Sequence, residues 1–211
     1  MKRTFTLLAL LWLSSTAFSQ TRLGFKGGFT LANMRGTASQ NGDMDTENGD
    51  PIAGFHLGMI LDQPAGRNFH IRPELLIVTK GSSFDVDPSV NSKLKFKPYY
   101  VEVPVNFVWY KTYPRSGASI FLGGGPAISV GIGGKAEVEG MKTDVFNEGL
   151  LKRFDLGLGM IFGVDLPNGL TFNFSTNTGL LNQYDEPRMG NPYNLKMYHS
   201  NFNLSIGYLL Q

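Results

Sequence analysis

The chain of 211 residues contains no cysteine. That excludes a disulfide framework, a thiolate-ligated zinc site, an iron–sulfur cluster, a thiol nucleophile and a lipid-modified N-terminal cysteine. Charge is scarce, at 17% of residues. Long apolar runs are missing too. Beyond the first twenty residues there is no window of about 18 apolar residues, so no transmembrane helix is expected. Mean hydropathy is slightly negative, which again argues against a helical membrane protein. What the chain does have is 26 glycines and 12% aromatic residues, a composition that argues against disorder. Its length suits one domain with a real core.

The N-terminus reads as an address. Lys2 and Arg3 precede an apolar run from Phe5 to Leu13, and Ala17-Phe18-Ser19 follows as a small-x-small cleavage site. Residues 1–19 are therefore expected to be a secretory signal peptide. The mature chain is expected to begin at Gln20 or close by. Removing Lys2 and Arg3 from the 19 basic residues leaves 17 against 17 acidic ones. No basic surplus remains to attract nucleic acid.

From Leu23 onward the period is two. LGFKGGFTL sets Leu23, Phe25, Phe29 and Leu31 against Gly24, Lys26, Gly28 and Thr30. AGFHLGMIL, FHIRPELLI, YYVEVPVNFVWY, ASIFLGGGPAISV, RFDLGLGMIFGVDL, LTFNFSTNTGLL and NFNLSIGYLL alternate in the same way. Such segments have the length a tilted membrane-spanning strand needs. The connections alternate as well. Residues 33–51, 81–97, 131–152 and 182–199 form long links; 62–68, 111–116 and 167–169 form short ones. The expected fold class is all-β, an eight-stranded antiparallel up-and-down transmembrane β-barrel over residues 20–211. Long loops then face outside and short turns face the periplasm.

A lipocalin-like barrel alternates too, with its apolar face inward. Three features favour a membrane barrel. About a dozen glycines fall on the polar face, where a narrow lumen needs room for long charged neighbours. Phe69, Trp109, Tyr110, Tyr113 and Tyr208 map to one strand end, and Tyr99 and Tyr100 to the other, as two interfacial girdles. The leader places the chain outside the cytoplasm, and the expected location is the cell outer membrane.

The polar face carries Lys26, His56, His70, Arg72, Glu74, Glu102, Arg153, Asp155 and Asp165. Buried charges must pair, so these read as an ion-paired lumen network, with a selective pore or binding site as the alternative. His199-Ser200 invites a hydrolase reading, but adjacent strand residues point to opposite faces. Asp185 or Glu186 would reach them only by loop folding. Asp43, Asp45, Glu47 and Asp50 form an oxygen-rich loop without the EF-hand glycine, because Asn48 stands in its place. Gly123 to Gly125 lie inside an alternating strand, so they are no phosphate loop. Residues 144–152 have room for one helical turn. No catalytic residue, cofactor or metal site is expected.

LGFKGGFTLANM, RPELLIVTKG, YYVEVPVNFVWY, FLGGGPAISVGIGGK and RFDLGLGMIFGVDLPNGLTFNF, in this order, resemble the porin-family outer-membrane β-barrel domain. That group includes PorT-like proteins of type IX secretion bacteria. The resemblance covers the whole mature chain and implies an OmpA-like barrel with no catalytic residues. It also implies outer-membrane lipid, the insertion machinery, and secretion or envelope proteins as partners, with the chain a monomer. Outer-membrane barrels usually end on an aromatic residue; this chain ends Tyr208-Leu209-Leu210-Gln211, with Tyr208 the closest substitute. The expected function is a structural or interaction barrel that displays loops or supports envelope assembly. A small-solute porin and a soluble periplasmic lipocalin-like carrier are the alternatives.

Overall fold

The computed structural model describes residues 21–40, 43–87, 92–138, 140–147, 149–184 and 196–210. The expected signal peptide, Asp185 and Glu186 lie outside the described residues. The strands are β1 (Arg22–Gln40), β2 (Asp43–Asn48), β3 (Ile52–Pro64), β4 (Phe69–Thr79), β5 (Ser82–Asp87) and β6 (Ser92–Thr112). They continue with β7 (Ser119–Val138), β8 (Met141–Asp144), β9 (Phe154–Asp165), β10 (Leu170–Gly179) and β11 (Lys196–Leu209).

Eight of these close a ring, in the order β1, β3, β4, β6, β7, β9, β10, β11 and back to β1, each pair antiparallel. Closure leaves no open edge, which lipid could not satisfy. The remaining β2, β5 and β8 pair with the outer ends of β1, β6 and β7. Three of the expected long links are thus largely strand. β1 runs on to Gln40, β6 begins at Ser92 and β7 reaches Val138. The reason is physical. Above the membrane both faces meet water, so the apolar alternation fades while the backbone ladder continues.

The short turns at 65–68, 113–118 and 166–169 share one end. Two close on glycines in the left-handed region, Gly117 at φ 67° and Gly169 at φ 88°. Short turns mark the periplasmic end of bacterial barrels, which orients the molecule.

The apolar set faces outward. Leu204 is 64% exposed and Leu158 57%, and the same face carries Phe25, Phe55, Leu57, Phe107, Met160 and Phe172. No water-soluble surface carries such a belt. This overturns the lipocalin-like alternative, which needs the apolar face inside. On β6 the belt runs from Tyr99 to Trp109. Ten residue steps at ~3.4 Å, tilted ~45°, span roughly 25 Å, the height of an outer-membrane apolar band.

Inward glycines answer to the backbone. A Cβ on Gly28, Gly58 or Gly125 would collide with the carbonyls of Leu204, Leu75 and Val105 on the neighbouring strands. At these sites glycine lets the walls approach; it does not leave room for charges.

Prolines interrupt one wall. The pairing skips Leu61 with Pro73, Glu74 with Pro104 and Val105 with Pro126, yet keeps the same register on either side. Each gap falls where a proline lacks the N–H that the ladder needs.

Candidate functional site

The lumen holds three polar clusters under an apolar cap, and a cavity of about 490 Å³ opens at its periplasmic mouth beside Arg22, His70 and Tyr110. Nearest the periplasm, Asp62 accepts from Arg22 at 2.5 Å and meets His70 Nδ1 at 3.1 Å. The Arg72 guanidinium lies 3.3 Å from Asp165 and stacks over Phe121 at 4.6 Å. The Tyr110 hydroxyl donates to Asp165 at 3.0 Å. Arg72 is fully buried, so its charge relies on these partners.

In the middle, Lys26 Nζ sits 2.5 Å from Glu74. His56 bridges Thr30, 3.0 Å from Nδ1, and Ser205, 2.8 Å from Nε2. The Thr30 hydroxyl donates its one proton to Asn203. His56 Nδ1 must then carry the hydrogen toward Thr30, and Nε2 accepts from Ser205.

Toward the outer end, Lys80 Nζ reaches Glu102 at 2.9 Å, Ser129 at 3.0 Å and Asp155 at 3.2 Å. Its three donors are all used. Gln183 donates to Asp155 at 3.0 Å, and the Tyr100 hydroxyl lies 3.3 Å from His199 Nε2.

Met34, Val78, Phe96, Tyr100, Ala136, Val145, Phe146 and Leu151 close the outer mouth as one apolar cluster. Val145 and Phe146 come from the turn after β8 and fold inward. Asp144 Oδ1 holds that turn, accepting from Asn147 N at 2.8 Å and Phe146 N at 2.9 Å. These bonds hold the Asp144 carboxyl below the usual carboxylate range. A turn stands where one helical turn was expected. Between the middle and outer clusters a void of about 20 Å³ remains, lined by Glu74, Glu102, Asn106, Asn177 and Asn203.

Eight of the nine residues proposed for the lumen face it: Lys26, His56, His70, Arg72, Glu74, Glu102, Asp155 and Asp165. Their pairing differs from the neighbourly one their order suggests. Arg72 meets Asp165 and not Glu74, which goes to Lys26. Arg153 requires a correction. It precedes the first residue of β9, so strand parity does not govern it. It lies exposed at the rim, 4.8 Å over the Phe146 ring and bonded to the Gly131 carbonyl.

The girdle needs two corrections. Phe69, Tyr99, Trp109 and Tyr208 face outward, and Tyr113 is exposed in a turn. Tyr100 and Tyr110 are buried in the lumen, because consecutive strand residues point to opposite faces.

Arg22, Asp62 and Lys80 belong to the network although the sequence reading passed them over. Each continues an inward parity by one step, from Gly24, Ile60 and Val78. Asp62 falls in the expected short link 62–68, while Arg22 and Lys80 lie just outside the alternating segments. His199 points at Tyr100, while Ser200 falls on the opposite face, so the two do not form a nucleophile–base pair.

A closed ring with lipid-facing apolar residues and an ion-paired interior defines a small outer-membrane barrel. The chain belongs to the outer membrane protein beta-barrel domain family, whose profile matches residues 17–185. No curated protein matches the chain. Among solved structures it is similar to the outer membrane protein OprG of Pseudomonas aeruginosa. That match is 11% identical, covers 90% of this chain and 96% of that one, and has a TM-score of 0.53. Neisserial surface protein A is 10% identical, with 88% and 96% covered and a TM-score of 0.48. Ail of Yersinia pestis is 12% identical, with 90% and 98% covered and a TM-score of 0.40. At such identity the likeness to OprG shows the fold alone.

Proposed function

We propose that this protein is a closed, non-catalytic outer-membrane barrel that acts through the surface its outer hairpins present. The observation that carries this reading is the ion-paired lumen. Three buried cations, Lys26, Arg72 and Lys80, are each locked to carboxylates, and an apolar cluster covers the outer mouth. On this reading the interior offers bulk solute no open channel. Ladders beyond the belt support the other half of the reading. β2, β5 and β8 stiffen the outer ends of β1, β6 and β7, and Lys93 ties Asp50 to Asp85 across that surface at 2.9 and 3.2 Å. The hydrogen bonds to Asp50 and Asp85 raise the Lys93 pKa.

Export by the N-terminal leader, insertion by the outer-membrane machinery and a monomeric state complete the proposal. The finer reading is service to an envelope assembly such as PorT-like secretion, and it rests on the motif order from LGFKGGFTLANM to the RFDLGLGMIFGVDL hairpin. Planar-bilayer recording of the refolded barrel tests the closed lumen. No stable open level is expected. A steady conductance in the folded protein would replace this reading with a small-solute pore.

A further inference from the structure

The outer surface of the barrel carries a basic groove immediately above the apolar belt. It encloses about 510 Å³ between β6, β7 and β8 and is lined by Lys95, Lys97, Tyr99, Lys135, Glu137 and Lys142, with Asp144 at one side. Tyr99 is the outermost belt residue of β6, and Lys97 and Lys95 are the next two positions on the same face.

A bulge builds the charge pair at the centre. Tyr99 pairs with Gly133 but Tyr100 with Gly131, so Ile132 is an extra residue on β7. Without it Lys135 would continue the inward parity of Ser129 and Gly131. With it Lys135 turns outward, directly opposite Lys97. Like charges facing across a ladder destabilise it, so the fold itself gains nothing from this pairing. Among the described residues neither Lys95, Lys97 nor Lys135 lies within ion-pair distance of a carboxylate. Asp144 is already held by backbone N–H groups, and Glu137 sits 3.9 Å from Lys142. Glu137 faces Lys95 and Asp144 faces Lys135 across the ladders, so the groove sets four lysines against two carboxylates and stays net positive at the height of lipid headgroups.

We propose that this groove binds the phosphate-bearing headgroups of the outer leaflet's lipid. The four lysines supply the charge, and Tyr99 packs against the lipid just beneath the headgroup. The site is independent of whether the lumen conducts.

The test measures lipid retained by the full barrel in zwitterionic detergent, counted by native mass spectrometry. The probes are diphosphorylated lipid A and the same lipid without phosphate. The wild type is expected to retain only the phosphorylated form. Lys97→Glu should keep the heat-shifted folded band on a gel, because it converts the like-charge pair into an ion pair with Lys135. It should nevertheless weaken retention by about 25-fold, at roughly fivefold per unit of charge removed near a membrane surface. The double variant K97Q/K135Q should give a similar loss without charge reversal. Equal retention of the two lipids, or unchanged retention in both folded variants, would overturn the proposal. So would full displacement of the lipid by equimolar inorganic phosphate or a soluble sulfated polysaccharide, which would mean that the groove takes a free anion.

Discussion

Lys80 shows how single residues hold this interior together. Its ammonium lies between Glu102 and Asp155, and both carboxylates are almost wholly shielded from solvent. Replacing it by methionine keeps the volume but leaves two buried carboxylates facing each other. Breaking a buried pair from one side costs about 3–5 kcal/mol. Lys80→Met should lower barrel stability by that order in urea titrations read from the folded band on cold gels. The triple change K80M/E102Q/D155N should recover most of the loss, since no buried charge is then stranded. Lys80 also shows why the candidate site was only partly legible. Alternation identifies inward residues well in mid-strand, as for Lys26, Arg72 and Glu102. It fails at strand ends, where a charged residue after Thr79 looks like the start of a loop. Tyr100 and Tyr110 depart from the girdle expectation for a related reason. Both lie where an interfacial ring is expected, yet parity alone decides their side.

At the scale of the strand, the two faces have opposite tolerances. Val103 and Leu158 sit on the lipid face within the belt. An arginine at either position should cost about 2–4 kcal/mol, as lipid-facing charges do near the midplane. Ser175 lines the small interior void beside Asn203. Ser175→Asn adds a polar group where donors and acceptors already stand, so refolding yield should change little. Equal damage from Val103→Arg and Ser175→Asn would reverse the assignment of faces. The eight spanning strands were readable because lipid on one side and ion pairs on the other impose a strict period. The bulge at Ile132 and the extensions above the membrane were not. A bulge shifts parity by one residue without any change in composition, and a strand wetted on both faces has no apolar rhythm to read.

Taken whole, the molecule is a narrow barrel whose walls touch where glycines allow, with charge pairs along its interior and Phe146, Val145 and Leu151 packed across its outer mouth. The chain lacks cysteine, so one introduced thiol reports cleanly on the lumen. Asn177 is buried beside Glu102 at mid-height, while Arg67 is exposed in a periplasmic turn. The most direct test is the reaction of Asn177→Cys with a water-soluble maleimide in the folded barrel, with Arg67→Cys as the accessible control. A closed lumen predicts rapid labelling at position 67 and labelling at position 177 only after boiling. Comparable labelling of both in the folded protein would contradict the closed interior.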